Sequence, residues 1–269
     1  MAARKRLIMR NVIWITGASS GIGAELARQY AHEKDRALVL SARRVKQLEE
    51  VKKSCNPQTP IALLPFDLKD FDNAATYVEQ ALSFFGKIDL LINNGGVSQR
   101  SKILGTNFSV FKTLIEVDYL GSVALSHALL PYFVAQQKGH FAVVSSVMGK
   151  YASPYRAGYC GAKHALHGFF DALRMEHEKD NINVTMICPG FVQTNVTINA
   201  LTESGAPLGT NDPGTENGLN CTSFCKNMRQ AIAQKKTETY YGKKEKWGVY
   251  IKRLSNRMLH RIVMKSAVR

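Results

Sequence analysis

Three residues in one short stretch can carry proton chemistry: Ser146, Tyr159 and Lys163. Tyr159 and Lys163 are four positions apart, so on a helix their side chains share a face. A free phenol titrates near pH ~10 and is a poor base at neutrality. An ammonium beside it favours the phenolate and lowers that pKa. Such a pair can give or take a proton near pH ~7, as interconversion of a carbonyl and an alcohol requires. Ser146 lies thirteen residues before Tyr159, just past the apolar run 141–144. A strand ending there presents its hydroxyl to the same carbonyl oxygen. The Y-x-x-x-K spacing is common by itself, so its weight depends on the elements around it.

The N-terminal region supplies those elements. Val12-Ile13-Trp14-Ile15 reads as a buried parallel strand. It runs into Thr16-Gly17-Ala18-Ser19-Ser20-Gly21-Ile22-Gly23, and then into a helical stretch from Ala24 to Tyr30. Strand, glycine-rich turn and helix make the first unit of a nucleotide-binding α/β fold. The glycines let backbone approach a pyrophosphate, and the helix N-terminus offers it unpaired N–H groups. The spacing is G-x-x-x-G-x-G rather than G-x-G-x-x-G.

A second strand, Ala37-Leu38-Val39-Leu40, ends at Ser41-Ala42-Arg43-Arg44. An acidic residue near this point would suit the bare ribose hydroxyls of NAD. Arginine, here chiefly Arg43 with help from Ser20 or Arg44, suits a 2′-phosphate through charge-assisted hydrogen bonds. The residues therefore favour NADP(H) over NAD(H), against the plainer reading of a solvated basic turn. Two more apolar runs follow, 61–66 leading to Asp67-Leu68 and 88–92 leading to Asn93-Asn94-Gly95-Gly96. Open parallel sheets bind ligands at the carboxyl ends of such strands.

Together these segments resemble the short-chain dehydrogenase/reductase family. The resemblance rests on T-G-x-x-x-G-I-G at Thr16 to Gly23, N-N-x-G at Asn93 to Gly96, Ser146, Y-x-x-x-K at Tyr159 to Lys163, and P-G-x-V-x-T at Pro189 to Thr194. It covers roughly residues 9 to 196. The runs 40–44 and 93–100 look more narrowly like the SDR family member 7-like branch and its bacterial relatives. The resemblance implies a doubly wound α/β Rossmann fold with a seven-stranded parallel sheet, and hydride transfer between nicotinamide C4 and a carbonyl or alcohol carbon. It also implies a homodimer or homotetramer.

Carried over by position, Tyr159 is the general acid in reduction, and Lys163 tunes it and holds the nicotinamide ribose. Ser146 orients the substrate oxygen. Cofactor contacts fall to Gly17, Ser19, Ser20, Gly21, Ile22, Gly23, Arg43, Arg44, Asp67, Leu68, Asn94, Gly95, Pro189, Gly190, Val192 and Thr194. Among these, Asp67 meets the adenine, Asn94 lies under the adenosine ribose and Thr194 meets the carboxamide. One position departs from the pattern. Asp118 stands where many members carry an Asn that holds a relay water. Asp keeps one acceptor and loses the NH₂ donor. Ionised, it would hold Lys163 as a cation and weaken its effect on Tyr159.

At 269 residues the chain suits one large α/β domain, with no repeat, low-complexity tract or linker to mark a second. The expected organisation is a catalytic body, a substrate loop over about 195–227 and a basic amphipathic tail over about 228–269. Five cysteines at irregular spacing read as free thiols in a reducing compartment, without metal-ligand clustering. No metal site is expected. His164 and His167 read as surface or interface side chains. No apolar run reaches the ~18 residues of a membrane span. The basic opening, Met1 to Arg10, makes a poor signal peptide and points to a cytoplasmic protein, most simply of a bacterium.

The net charge is +15. From Lys226 to Arg269 there are 13 Lys/Arg against Glu238 and Glu245, a net of +11. Ile251, Leu254, Met258 and Ile262 fall on one helical stripe with cationic flanks, a pattern for reversible contact with an anionic membrane, or for packing on the domain or a partner subunit. Tyr155 and Phe191 are candidates for an apolar substrate pocket. Three function classes compete. The favoured one is an NADP(H)-dependent oxidoreductase acting on a lipophilic ketone, aldehyde or secondary alcohol. The second is a nucleotide-binding protein of weak turnover, because of Asp118. The third, a nucleic-acid binder, has only the charge behind it and lacks a stacking-aromatic platform, so no nucleic-acid partner is expected.

Overall fold

The structure is a computed structural model that describes residues 10–266. The basic opening read above as a poor signal peptide lies, through residue 9, outside the described residues. Seven strands alternate with helices: β1 (Asn11–Thr16), α1 (Gly21–Ala31), β2 (Arg36–Ser41), α2 (Val45–Lys53), β3 (Ile61–Leu63), α3 (Ala74–Phe85), β4 (Leu90–Asn93), α4 (Phe108–Ile115), α5 (Gly121–Ala135), β5 (Gly139–Val144), α6 (Ala157–Glu176) and β6 (Ile182–Pro189). There follow α7 (Pro213–Glu216), α8 (Cys221–Ala233), β7 (Glu238–Tyr241), α9 (Trp247–Leu254) and α10 (Asn256–Lys265).

All strand pairs are parallel, in the order β3-β2-β1-β4-β5-β6-β7. The order reverses between β1 and β4, and open α/β sheets bind their ligands at such a switch point. The central strands are apolar on both faces because helices cover both. Ile13 and Ile15 of β1 pack with Leu26, Leu48, Phe224 and Met228 of α1, α2 and α8. Val12 and Trp14, pointing the opposite way, pack with Val78, Leu129, Phe133 and Phe170 of α3, α5 and α6. These two layers hold the strand ends still, so the side chains that follow them converge at fixed positions.

Two sequence expectations change here. The segment read as a tail from about 228 contains the end of α8 and the edge strand β7, so it completes the body. The stripe Ile251, Leu254, Met258 and Ile262 does not lie on one helix. Ser255 has extended backbone (φ −160°) and its hydroxyl accepts a hydrogen bond from Met258 N, so it ends α9 and caps α10. Val249 and Leu259 are the residues that bury, beside Val147 and Tyr151 of the body.

Candidate active site

The glycine turn after β1 is built by close approach. Gly17 has φ +65° and Gly21 φ +53°, a region that favours glycine. A methyl on Gly17 would stand 2.7 Å from Gly95 Cα, and one on Gly23 would overlap the Gly17 carbonyl. Asn94 Nδ2 donates to Thr16 O (3.0 Å), tying β4 to the turn. Leu68 packs against the Cα of Gly95. Ile22 is half-buried against the core below. The N-terminus of α1 opens at this turn. Among the described residues no side chain of Ser20 caps it, and its first turn carries no acid. Free N–H groups and a positive helix end make a place for phosphate.

The end of β2 supplies the cations. Arg44 Nη2 donates to Ser19 Oγ (3.2 Å) and Ser20 Oγ (3.3 Å), across the mouth of the turn. Arg43 is exposed and pairs with Asp67 at 3.7 Å. The far wall is the segment after β6. Thr194 lies 3.3 Å from where a methyl on Gly21 would stand, and Val192 pairs with Leu219. The glycine cradle and the bare helix end fit the phosphates of a dinucleotide, with the two arginines at the mouth.

The catalytic candidates converge beside this cradle. Ser146 follows β5, and its Oγ donates to Pro189 O (3.2 Å) and accepts from Met148 N (3.1 Å). Tyr159 and Lys163 share one face of α6. Lys163 Nζ stands 5.7 Å from the Tyr159 ring centre. It donates to Val144 O (3.1 Å) and lies 3.5 Å from Asp118 Oδ1. The phenol differs from the sequence expectation. Burial pushes it up, Lys163 pulls it down, Asp118 pushes it up again and Ser146 pulls it down, with a net rise. Lys163 is shared among three neighbours, so it does not by itself bring Tyr159 toward neutrality.

Asp118 is fully buried, on the π-turn Glu116–Leu120 between α4 and α5. A π-turn shifts a side chain out of the α-helical register, and such turns gather at functional sites. Asp118 Oδ1 accepts from Val97 N (2.9 Å), while Oδ2 has no partner among the described residues. Burial pushes its carboxyl up to about 6, against the pull of Lys163. Gly96 is bare because Asp118 lies against its Cα.

Several contributors were not legible as site residues. Gln99 is buried, and its Oε1 accepts from Gly158 N (2.8 Å) and Tyr159 N (3.3 Å). It caps the catalytic helix from a distant loop, so local sequence around α6 carries no trace of it. Arg100 binds Asp212 through Nε (3.1 Å) and Nη2 (2.5 Å), strapping the segment 195–217 to the body. Tyr155 lies in left-handed backbone (φ 66°) and lines a cavity of about 320 Å³ with Arg100, Glu203, Thr210, Asn211 and Asp212. With Leu208 and Pro213 also in its wall, that cavity has a mixed lining in place of the apolar pocket expected. Phe191 lies under the Arg156 guanidinium and lines a different cavity, of about 240 Å³.

His167 is buried, not a surface residue. Its Nε2 is 2.9 Å from Ser145 Oγ, and its ligand atoms lie within 4.8 Å of those of Cys188 and Glu238. Three different elements contribute to this cluster, which is why sequence spacing hid it. Lys150 Nζ already stands 2.7 Å from Glu238, and burial holds the His167 imidazole down at about 4 and the Cys188 thiol well up. The cluster is thus an ion pair flanked by neutral groups. His164, half-buried, is turned to the Cys160 carbonyl.

The chain and its fold have clear counterparts. The family model described as short chain dehydrogenase matches residues 11–204, and the chain belongs to that family. It is 38% identical over 264 residues to the dehydrogenase/reductase SDR family protein 7-like of Drosophila melanogaster, covering 96% of this chain and 81% of that protein. It is 38% identical over 272 residues to SDR family member 7B of Mus musculus, covering 98% and 84%. Against SDR family member 7 of Homo sapiens it is 43% identical over 221 residues, covering 80% and 64%. A short-chain dehydrogenase from Streptomyces avermitilis superposes with a TM-score of 0.80 at 22% identity, covering 95% and 97% of the two chains, and so shares the fold.

Proposed function

We propose that the chain is an NADP(H)-dependent oxidoreductase that interconverts a lipophilic ketone or aldehyde with its alcohol. The observation that carries this reading is the convergence of Ser146, Tyr159 and Lys163 beside a glycine cradle whose mouth is spanned by Arg44. When bound, the nicotinamide supplies or accepts the hydride. Ser146 and Tyr159 hold the substrate oxygen, and Tyr159 gives it a proton in reduction and takes one in oxidation. Lys163 holds the nicotinamide ribose and offsets part of the rise that burial imposes on Tyr159. Arg44, and Arg43 beside it, bind the 2′-phosphate. Asp67, Asn94 and Thr194 keep the roles given them above. The lipophilic substrate is supported by exposed Ile103 and Leu104 on the loop before α4 and Phe108 at the start of α4, next to Asn107, whose N donates to Glu203 O of the substrate segment.

Two measurements test this. Tyr159→Phe should leave NADPH binding intact and lower kcat by about 10² to 10⁴ on an active carbonyl. Retention of a third of the wild-type rate would remove Tyr159 from its role. Affinity should favour NADPH over NADH, and the preference should fall most in an Arg43→Asp, Arg44→Asp double variant. Equal affinity in the parent protein would overturn the assignment.

A second reading, nucleotide binding with weak turnover, is favoured by the unpartnered Asp118 oxygen. NADPH binding with no carbonyl reduced across a broad panel would establish it. We further read the protein as cytoplasmic and as a homodimer or homotetramer, which sedimentation would check. Among the described residues no helix is long and apolar enough to cross a membrane. Leu254 of α9 and Met258, Ile262 and Met264 of α10 are exposed, with exposed Arg253, Arg257 and Arg261 near them in sequence. These residues support reversible contact with anionic lipid. Co-sedimentation with anionic but not neutral vesicles is expected, and its absence would leave these helices as packing alone.

A further inference from the structure

Glu245 precedes α9 and belongs to none of the motifs that mark the site. It nevertheless touches two segments of the site with two different groups. Its Oε1 accepts from the Phe191 N–H (3.1 Å), in the segment that follows Pro189 and Gly190. Its backbone carbonyl accepts from the Tyr151 hydroxyl (2.7 Å), at the end of the turn that Ser146 opens. Those two segments also meet directly, because Ser146 Oγ donates to Pro189 O (3.2 Å). The three bonds close a ring around the junction of β5 and β6.

The packing is specific to this arrangement. Gly190 has no room for a side chain because the Glu245 carboxylate rests on its Cα, and a methyl on Gly242 would stand 2.8 Å from Glu245 Oε1. Tyr151 is 4% exposed, and a methyl on Gly248 would stand 2.6 Å from its Cζ. Val147 and Tyr151 form an apolar cluster with Val249 and Leu259 of α9 and α10. The C-terminal helices thereby press the residue that carries both bonds onto the site.

We infer that Glu245 is a positioning residue that clamps the backbone of 189–194 against the Ser146 turn. Its carboxylate sets the register of the cofactor-facing segment. Its carbonyl, through Tyr151, sets the turn that aims Ser146. The inference rests on the proposed function, in which residues 189–194 meet the nicotinamide end of the cofactor. The bond to Phe191 needs an acceptor at the carboxylate position, and Gln keeps one there whereas Ala does not. A hydrogen bond to a carboxylate is about twice as strong as a neutral one, so Gln should restore most of the effect rather than all of it.

The test uses the full chain and two readouts: NADPH affinity from nicotinamide fluorescence, and steady-state reduction of an active carbonyl. Glu245→Ala should weaken NADPH binding about tenfold, Glu245→Gln by less than about threefold. Tyr151→Phe should lower kcat severalfold and leave NADPH affinity at the wild-type value. A merely structural role would lower the melting temperature without this split. Wild-type NADPH affinity in Glu245→Ala would overturn the clamp, as would equal losses in the Ala and Gln variants or a loss of affinity in Tyr151→Phe. Failure of the wild-type chain to bind NADPH would overturn the proposed function and the clamp with it. Binding without turnover, with the Ala and Gln variants separated as stated, would overturn only the reaction and support the clamp.

Discussion

Asp118 and Asp212 are both buried carboxylates facing more than one polar neighbour, yet they are built in opposite ways. Asp212 Oδ2 is held by two nitrogens of Arg100, at 3.1 and 2.5 Å, with Arg156 3.7 Å away. Its Oδ1 accepts from Thr215 N (2.7 Å) and starts α7. Burial pushes its carboxyl up, but the hydrogen bonds of Arg100 and Thr215 outweigh that and hold it below the ordinary value. Asp118 has one backbone donor, a lysine at 3.5 Å and one oxygen with no partner among the described residues. There burial wins, and the carboxyl rises. A fully bonded carboxylate fixes a loop. A half-bonded one has its carboxyl raised toward neutral pH, and it stands beside Lys163, the residue proposed to tune Tyr159.

The largest expected effect breaks the bonded member. Asp212→Ala leaves Arg100 and Arg156 buried without their counter-ion, a change that typically costs about 3–5 kcal/mol. Limited proteolysis should then cut within 195–217, and the urea midpoint should fall. A variant as resistant as the parent would show that the strap does not hold this segment.

A smaller effect is expected at the other member. Asp118 raises the Tyr159 phenol, so removing its charge should lower that pKa. Alcohol oxidation needs the phenolate, and its rate rises with pH through the phenol pKa. Asp118→Asn should therefore move the rising limb of kcat for oxidation to lower pH. An unmoved limb would separate Asp118 from the working site.

The smallest effect concerns stability, and its sign differs between the two. Asp118 binds its proton more tightly folded than unfolded, between the ordinary value of 3.8 and about 6. Stability from this group is present at the acid side of that window and is lost as pH rises through it. Asp212 acts in reverse: its contribution is present above 3.8 and is lost as pH falls below it. Urea midpoints between pH ~4 and ~6 should decline less steeply with pH in Asp118→Asn than in the parent. An identical slope would mean that Asp118 is not the group titrating there.

Much of the candidate site is legible in the sequence. Glycine spacing, strand ends and the Tyr159–Lys163 interval are local patterns, because backbone close approach and helix periodicity are local constraints. Asp118 stands out by its position in the sequence, but its unpartnered oxygen does not, since partners come from other elements. The mixed wall near Tyr155 is not legible there either. Its residues lie on a segment whose path depends on Arg100 reaching Asp212, 112 positions away.

The sequence by itself determined the element order, the parallel sheet, the family and the residue types at the candidate site. These follow from periodicity and from spacings within a few turns of chain. Only the tertiary structure decided how the charges balance. It shared Lys163 between Val144 and Asp118, drew Gln99 over the catalytic helix, buried His167 behind Ser145 and set Glu245 between two site segments. Each of these joins residues far apart in the chain. Desolvation and hydrogen-bond geometry exist only once the layers have closed, so no pattern along the chain records them.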